Sequence, residues 1–143
     1  MKEFFTREKA NKGIELPLFF PDGSKSEHSL TVRGVDSDHF RKAEAHAKRK
    51  AIEISEVEKL EDREEAVREI ELECIASLVA GWTFEEKFTP VNVVNFLREA
   101  PQIAIMVARF AARRSLFFQK KQESSTSGQN LKSNLKKSQV DPK

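Results

Sequence analysis

The sequence predicts an α+β domain, mainly α-helical, in which an N-terminal β-hairpin packs on about four helices and a disordered C-terminal tail follows. Three observations carry this reading. A short apolar run, Ile14–Phe20, and an alternating run, Glu27–Arg33, flank the turn Pro21-Asp22-Gly23-Ser24. Apolar residues then recur at spacings of three and four from Phe40 to Leu78. Beyond Phe118 the composition turns abruptly polar and lysine-rich. Runs around a turn signal mark strands, and a period near 3.6 marks helices.

Taken in order, residues 1–13 are charged, lack periodicity and read as a loose lead-in. The hairpin occupies 14–33. Its first strand contains Pro17, which cannot donate a ladder hydrogen bond and so belongs on an edge. Its second strand alternates, with His28, Leu30 and Val32 on one face and Ser29, Thr31 and Arg33 on the other. A lone hairpin is marginal in water and needs a surface to lie on, which the helical part, 36–118, supplies.

Asp36-Ser37-Asp38 offers N-caps for a helix with an alanine-rich stripe, Ala43, Ala47 and Ala51. Neither Gly nor Pro occurs from Asp36 to Ala80. One unbroken helix of that length would reach about 65 Å, too long for a small domain to cover. Two helices with a break between Ser55 and Asp62 are therefore expected. Glu44–Lys48 and Glu64–Arg68 have the i,i+4 spacing that supports helices. The second helix is expected to end at Gly81, followed by an aromatic connector, Trp82–Phe88. Thr89-Pro90 begins a short helix, with a capping hydroxyl and a proline whose missing N–H costs nothing there. Pro101 repeats the device, and the last helix is expected to run to about Phe118. Its residues Ile103–Ala112 are apolar nearly all round, which implies burial on several sides or a partner.

The chain has 143 residues, enough for one domain over 1–118, with 119–143 read as a disordered basic tail. Formal net charge is +2; the tail holds six Lys and two acids, so residues 1–118 carry −2. That balance gives little support to a nucleic-acid partner. The single cysteine, Cys74, excludes an intrachain disulfide and reads as a small buried hydrophobe. The N-terminus lacks a signal-like apolar run, and Ile103–Ala108 is far short of the roughly 18–20 residues that span a bilayer.

No catalytic constellation is legible, and neither a metal nor a cofactor is expected. His28, His39 and His46 are spaced too widely for a typical zinc site. The five glycines are scattered and form no phosphate cradle. The acids of 53–73 are interleaved with bases, as on a solvated helix face. By contrast, Leu78–Phe118 holds the only Trp and six of the eleven Phe. Trp82 and Phe96, at helix boundaries, read first as core. Met106, Phe110, Phe117 and Phe118 read as the partner-binding face, because exposed apolar patches mark interaction sites and Met adapts to varied partners.

The ordered set Leu78, Gly81-Trp82, Phe84, Phe88-Thr89, Asn92, Leu97, Pro101, Ile103, Val107 and Phe117-Phe118 resembles the tail assembly chaperones of long-tailed bacteriophages. The resemblance is strongest over about 40 residues. It implies a non-enzymatic protein that keeps the tape-measure protein soluble while tail-tube subunits assemble around it. It implies a place in the host cytoplasm and absence from the mature virion. It also implies a longer frameshifted form that engages the tail-tube protein. Lys120-Lys121 and Lys136-Lys137 can be encoded by slippery A-rich codons at the point where such a switch would lie. Self-association is expected from the nearly apolar circumference of Ile103–Ala112. No membrane contact and helix-in-groove recognition complete the expectation. The alternative is a small nucleic-acid-binding regulator, supported by the basic tail and the helical pair.

Overall fold

A computed structural model of the chain describes residues 1–56 and 59–118. A 3₁₀ turn at Lys2–Phe4 and helix α1 (Arg7–Lys12) precede strands β1 (Ile14–Phe19) and β2 (Lys25–Val32). Helices α2 (Asp38–Ile54) and α3 (Leu60–Ala76) follow, then strand β3 (Val79–Trp82). Helices α4 (Pro90–Glu99) and α5 (Pro101–Ala112) come next, and the last described element is a 3₁₀ turn at Arg114–Phe117. The expected tail, 119–143, lies outside the described residues.

The α+β architecture and the hairpin are as the sequence predicts. Gly23 sits at φ 91°, a conformation that favours glycine, while Asp22 Oδ1 accepts hydrogen bonds from Ser24 N at 2.9 Å and Ser24 Oγ at 2.6 Å. The register pairs Ile14 with Val32 and Leu16 with Leu30. Leu16, Leu18, Leu30 and Val32 all point into the core. Period two thus delivers one apolar face to the helices.

The hairpin is part of a three-stranded antiparallel sheet in the order β1-β2-β3, which corrects the expected connector. Helix α3 stops at Ala76, not at Gly81. Burial decides this: Leu78 and Val79 are almost fully covered, and Val79 pairs with Val32. The Leu78 carbonyl accepts from Arg33 N at 2.6 Å, so the chain exchanges helical bonds for ladder bonds. Ser29 points both backbone groups at Thr83: its N–H donates to Thr83 Oγ1 at 3.0 Å and its carbonyl accepts from Thr83 N at 3.2 Å. Pro17, opposite Ser29, therefore turns its donorless nitrogen outward. The free edge of the sheet is blunted there against further strands.

Helices α2 and α3 form an antiparallel arm with the break where length required it. The alanine stripe of α2 does not serve the hairpin but the arm itself: Ala43 and Ala47 face Ile70 and Cys74 of α3. The sheet lies against α4 and α5, whose Val93, Leu97, Ile103, Ala104, Val107 and Ala111 complete the core with the strand residues. Each of these helices begins as predicted; Thr89 Oγ1 accepts from Asn92 N at 3.1 Å. Helix α5 ends six residues early, at Ala112 rather than near Phe118, and it buries one side only. Neither Glu44–Lys48 nor Glu64–Arg68 is among the ion pairs of the described residues.

The first thirteen residues are not a loose lead-in. Ala10 of α1 is fully buried, and its carbonyl accepts from Gly34 N at 3.1 Å. Val35 N donates to the Ala111 carbonyl at 3.1 Å, so both ends of the described chain meet the segment between β2 and α2. Asp36 cements this meeting. Its carboxylate accepts from Thr6 Oγ1 at 2.7 Å and from Arg114 Nε and Nη2 at 2.9 and 3.0 Å. Asp38 is held by Arg7 at 2.7 Å and by Asn11 at 3.2 Å.

Three outcomes follow for stability. Leu30→Asp buries an unpaired charge and should cost about 3 kcal/mol or more, read as a large drop in melting temperature. At Gly34 an added Cβ would lie 2.9 Å from Ala10 Cβ and 3.0 Å from Phe117 Cγ. Gly34→Ala should therefore destabilise by about 1–3 kcal/mol through overpacking, measured by urea unfolding. The hydrogen bonds from Arg114, and then from Thr6, hold the Asp36 carboxyl below its ordinary range. A lowered carboxyl stabilises the fold above the usual carboxylate range, and that contribution is lost as pH falls through the lowered value. Asp36→Asn should flatten the acid limb of the stability–pH curve by about 1 kcal/mol or less, because the Arg114 side chain is well exposed.

Candidate functional site

A groove of about 540 Å³ opens between the C-terminal part of α3 and the outer face of α4. On one wall stand Phe88, Pro90, Val91 and Val94; on the other stand Glu69, Glu73 and Ala76; Arg33 and Val79 lie at its inner end, and His39 closes one side. Helix α4 explains the apolar wall. Val93 and Leu97 are buried, and the helical period places Val94 on the flank of that face and Val91 on the far side. Val91 is 68% exposed and Phe88 40%. These are the residues a partner could cover.

The loop before α4 is fixed by aromatic packing. Trp82 meets Phe84, Phe88 and Phe96 at ring-centroid distances of 5.2, 5.4 and 6.0 Å, each near edge-to-face. Its Nε1 donates to the Glu86 carbonyl at 2.9 Å, and Asn92 Nδ2 donates to the Lys87 carbonyl at 2.8 Å. His28 packs on Phe84 at 4.7 Å and places Nδ1 3.1 Å from Thr83 Oγ1. Together these contacts set Phe88 at the groove rim. Trp82 and Phe96 pack against the core, as their place at helix boundaries predicts.

Charge inside the groove is largely internally matched. Arg98 Nη2 lies 2.7 Å from both oxygens of Glu69, and its Nη1 donates to Asn95 Oδ1 at 2.6 Å. Arg33 is half-buried and uses Nη1 to donate to the Ser77 and Val79 carbonyls at 3.0 Å each. Burial lowers its pKa. His39 is also pushed down, first by burial and then by Arg33 and Lys42, which favours its neutral form near neutral pH. The arrangement suits apolar side chains entering between α3 and α4, with Glu73 and Arg98 at the rim. Among the described residues no group of three or more His, Cys, Asp or Glu could hold a metal ion.

The four residues expected to form the partner face do not share one environment. Met106 and Phe110 are half-buried beside the core, and Phe118 is half-buried at the end of the described chain. Phe117 is only 1% exposed. It packs edge-to-face on Phe110 at 6.2 Å and against Gly34, which gives it a packing role in the folded monomer. Sequence reasoning weighed His39 only as a metal ligand and did not single out Val91 or Val94; the signal that could have found the valines is their place beside and beyond the buried stripe of Val93 and Leu97 on a helical wheel. Cys74 is half-buried, and burial followed by Glu44 raises its thiol pKa. Lys48, Arg49 and Lys50 are exposed on α2, whereas Arg114 is engaged with Asp36.

A family model described as phage tail assembly chaperone matches residues 11–133 of the chain. Neither a curated protein nor a solved structure matches it. The matched span begins near the end of α1 and includes the sheet, the arm and both helices of the core. Within it, Arg33 should be a structural support of the groove. Arg33→Met leaves two carbonyls short of a donor and should cost about 1–3 kcal/mol, whereas Val91→Ser should stay within about 0.5 kcal/mol. Paired thermal melts of the two variants check this.

Proposed function

The chain belongs to the phage tail assembly chaperones, and we propose that it binds apolar helical segments of the tape-measure protein and keeps that protein soluble until tail-tube subunits polymerise around it. The observation that carries this reading is the open groove between α3 and α4, about 540 Å³ with an exposed apolar wall. Its size falls in the range of sites that accept a few large side chains, and a helix presenting residues at i, i+3 and i+4 is the natural occupant. Phe88, Val91 and Val94 form the proposed contact in the groove. Met106, Phe110 and Phe118 form a second proposed contact, each with apolar surface still open. Phe117 supports Phe110 from beneath. The role is non-catalytic: binding covers apolar surface that would otherwise aggregate.

In this reading the protein works in the host cytoplasm and is absent from the finished virion. No helix of the described residues is long and apolar enough to cross a membrane. A longer product, made by ribosomal slippage at the codons of Lys120-Lys121 or Lys136-Lys137, would add the segment that engages the tail-tube protein. Synonymous recoding of both sites should abolish that product without changing this one; continued synthesis of the longer form would overturn the slippage assignment.

Co-expression with the tape-measure protein tests the binding face. Val91→Asp and Phe118→Ser sit at exposed or half-exposed positions, so the circular dichroism of each should match the unchanged protein. Each should reduce the soluble fraction of tape-measure protein by roughly tenfold, the effect of losing one apolar anchor or introducing a charge at it. Unaltered solubilisation by both variants would place the contact elsewhere.

A further inference from the structure

The groove between α3 and α4 stands open, with Phe88 and Val91 exposed on its apolar wall. The surface beside that wall is acidic. Helix α3 carries seven acids and two bases, whereas α4 carries one of each. Glu69 is paired with Arg98, but Glu73 lines the groove and joins no ion pair among the described residues. The described chain ends nearby: Phe117 packs against Gly34, and Gly34 follows Arg33, which stands at the inner end of the groove. The sequence beyond Phe118 has the complementary chemistry. Residues 119–143 contain six Lys and two acids, and 124–140 contain three Lys and no acid. Leu131 and Leu135 are four apart, the spacing of two anchors on one face of a helical turn, and Lys132, Lys136 and Lys137 border them. The stretch from Phe118 to Leu131 reaches about 45 Å when extended and averages about 20 Å as a flexible chain. Helix α4, which forms the apolar wall, is ten residues or about 15 Å long, so the leucines reach the groove without stretching the chain.

We propose that residues 129–137 of the chain's own tail occupy this groove. Leu131 and Leu135 cover Phe88, Val91 and Val94, while Lys132, Lys136 and Lys137 face the acids of α3. The tail's composition gives these leucines no core of their own, and the groove supplies the surface they lack. Tethering sets an effective concentration of about millimolar order, so a weak contact suffices to fill the groove within one chain. The consequence for function rests on the tape-measure reading: a tail in the groove shields the apolar wall until a tape-measure segment displaces it. The docking itself is tested on the chain alone, so its failure and the failure of tape-measure binding are read separately.

A nitroxide attached at Ser133→Cys in the full chain, with Cys74→Ala to leave one labelling site, reads the contact by paramagnetic broadening of methyl resonances. The Val91 and Val94 methyls should broaden strongly, and those of Ile52 and Val67, exposed on the arm, should not. Dilution should leave the broadening unchanged, because the contact lies within one chain, and high salt should weaken it by screening the lysines. Leu131→Ser with Leu135→Ser should reduce the docked fraction about tenfold, the effect of removing two apolar anchors. Glu73→Lys, at an exposed position, should reduce it about threefold. Circular dichroism verifies that each labelled chain is folded. The proposal is overturned if Val91 and Val94 do not broaden, if their broadening survives loss of both leucines or is unchanged by Glu73→Lys, or if it fades on dilution, which would assign the occupant to another copy.

Discussion

The short segment Arg33–Ser37 is the constraint on which the rest of the architecture depends. It leaves the sheet, meets α1 through Gly34, meets the end of α5 through Val35, and starts α2 with the buried hydroxyl of Ser37. Gly34 is required by space: Ala10 and Phe117 close over it from two directions. Because the contact is that close, the N-terminal helix and the C-terminal turn are held in one place. Asp36 then adds a charge-assisted fork to Arg114 and a hydroxyl bond from Thr6. Elements distant in sequence are thereby tied at a single point.

From that point the molecule divides its work. The sheet packs on α4 and α5 and makes the apolar core. The arm of α2 and α3 contributes no fully buried residue of its own within the two helices. It touches the core through Phe40 of α2 and through Leu72, Ile75 and Ala76 of α3, and the outer faces of both helices are left to solvent. The groove inherits its apolar wall from the outer face of α4, and its shape from the aromatic loop anchored by Trp82.

The polar groups around the groove are largely paired. Glu69 and Arg98 neutralise each other, and Arg33 donates through Nη1 to two backbone carbonyls. An apolar partner therefore does not have to strip water from several unpaired charges, which is the usual cost of entering a charged cleft.

Much of the fold was legible because local chemistry wrote it. The Asp-Gly turn, the alternation of Leu30 and Val32, the edge position of Pro17, the Thr89-Pro90 and Pro101 helix starts and the break between α2 and α3 all follow from residue type and spacing. The family resemblance, too, rested on ordered residues in the stretch that forms β3, α4 and α5. What local chemistry could not supply were the partners of segments with ambiguous preference. Val79–Trp82 reads equally well as the end of a helix, and only the unpaired edge of β2 made it a strand. Residues 1–13 lack a period, yet one alanine fits the space above Gly34 and anchors them. Phe117 and Phe118 are identical side chains one residue apart; the first enters the core and the second stays half-open, because a 3₁₀ turn ends between them. The amino-acid sequence alone determined the hairpin, the starts of the main helices and the apolar inventory, but not β3 or α1. The tertiary structure decided which apolar residues are enclosed and which remain open to a partner, since burial depends on what the rest of the chain brings against each side chain.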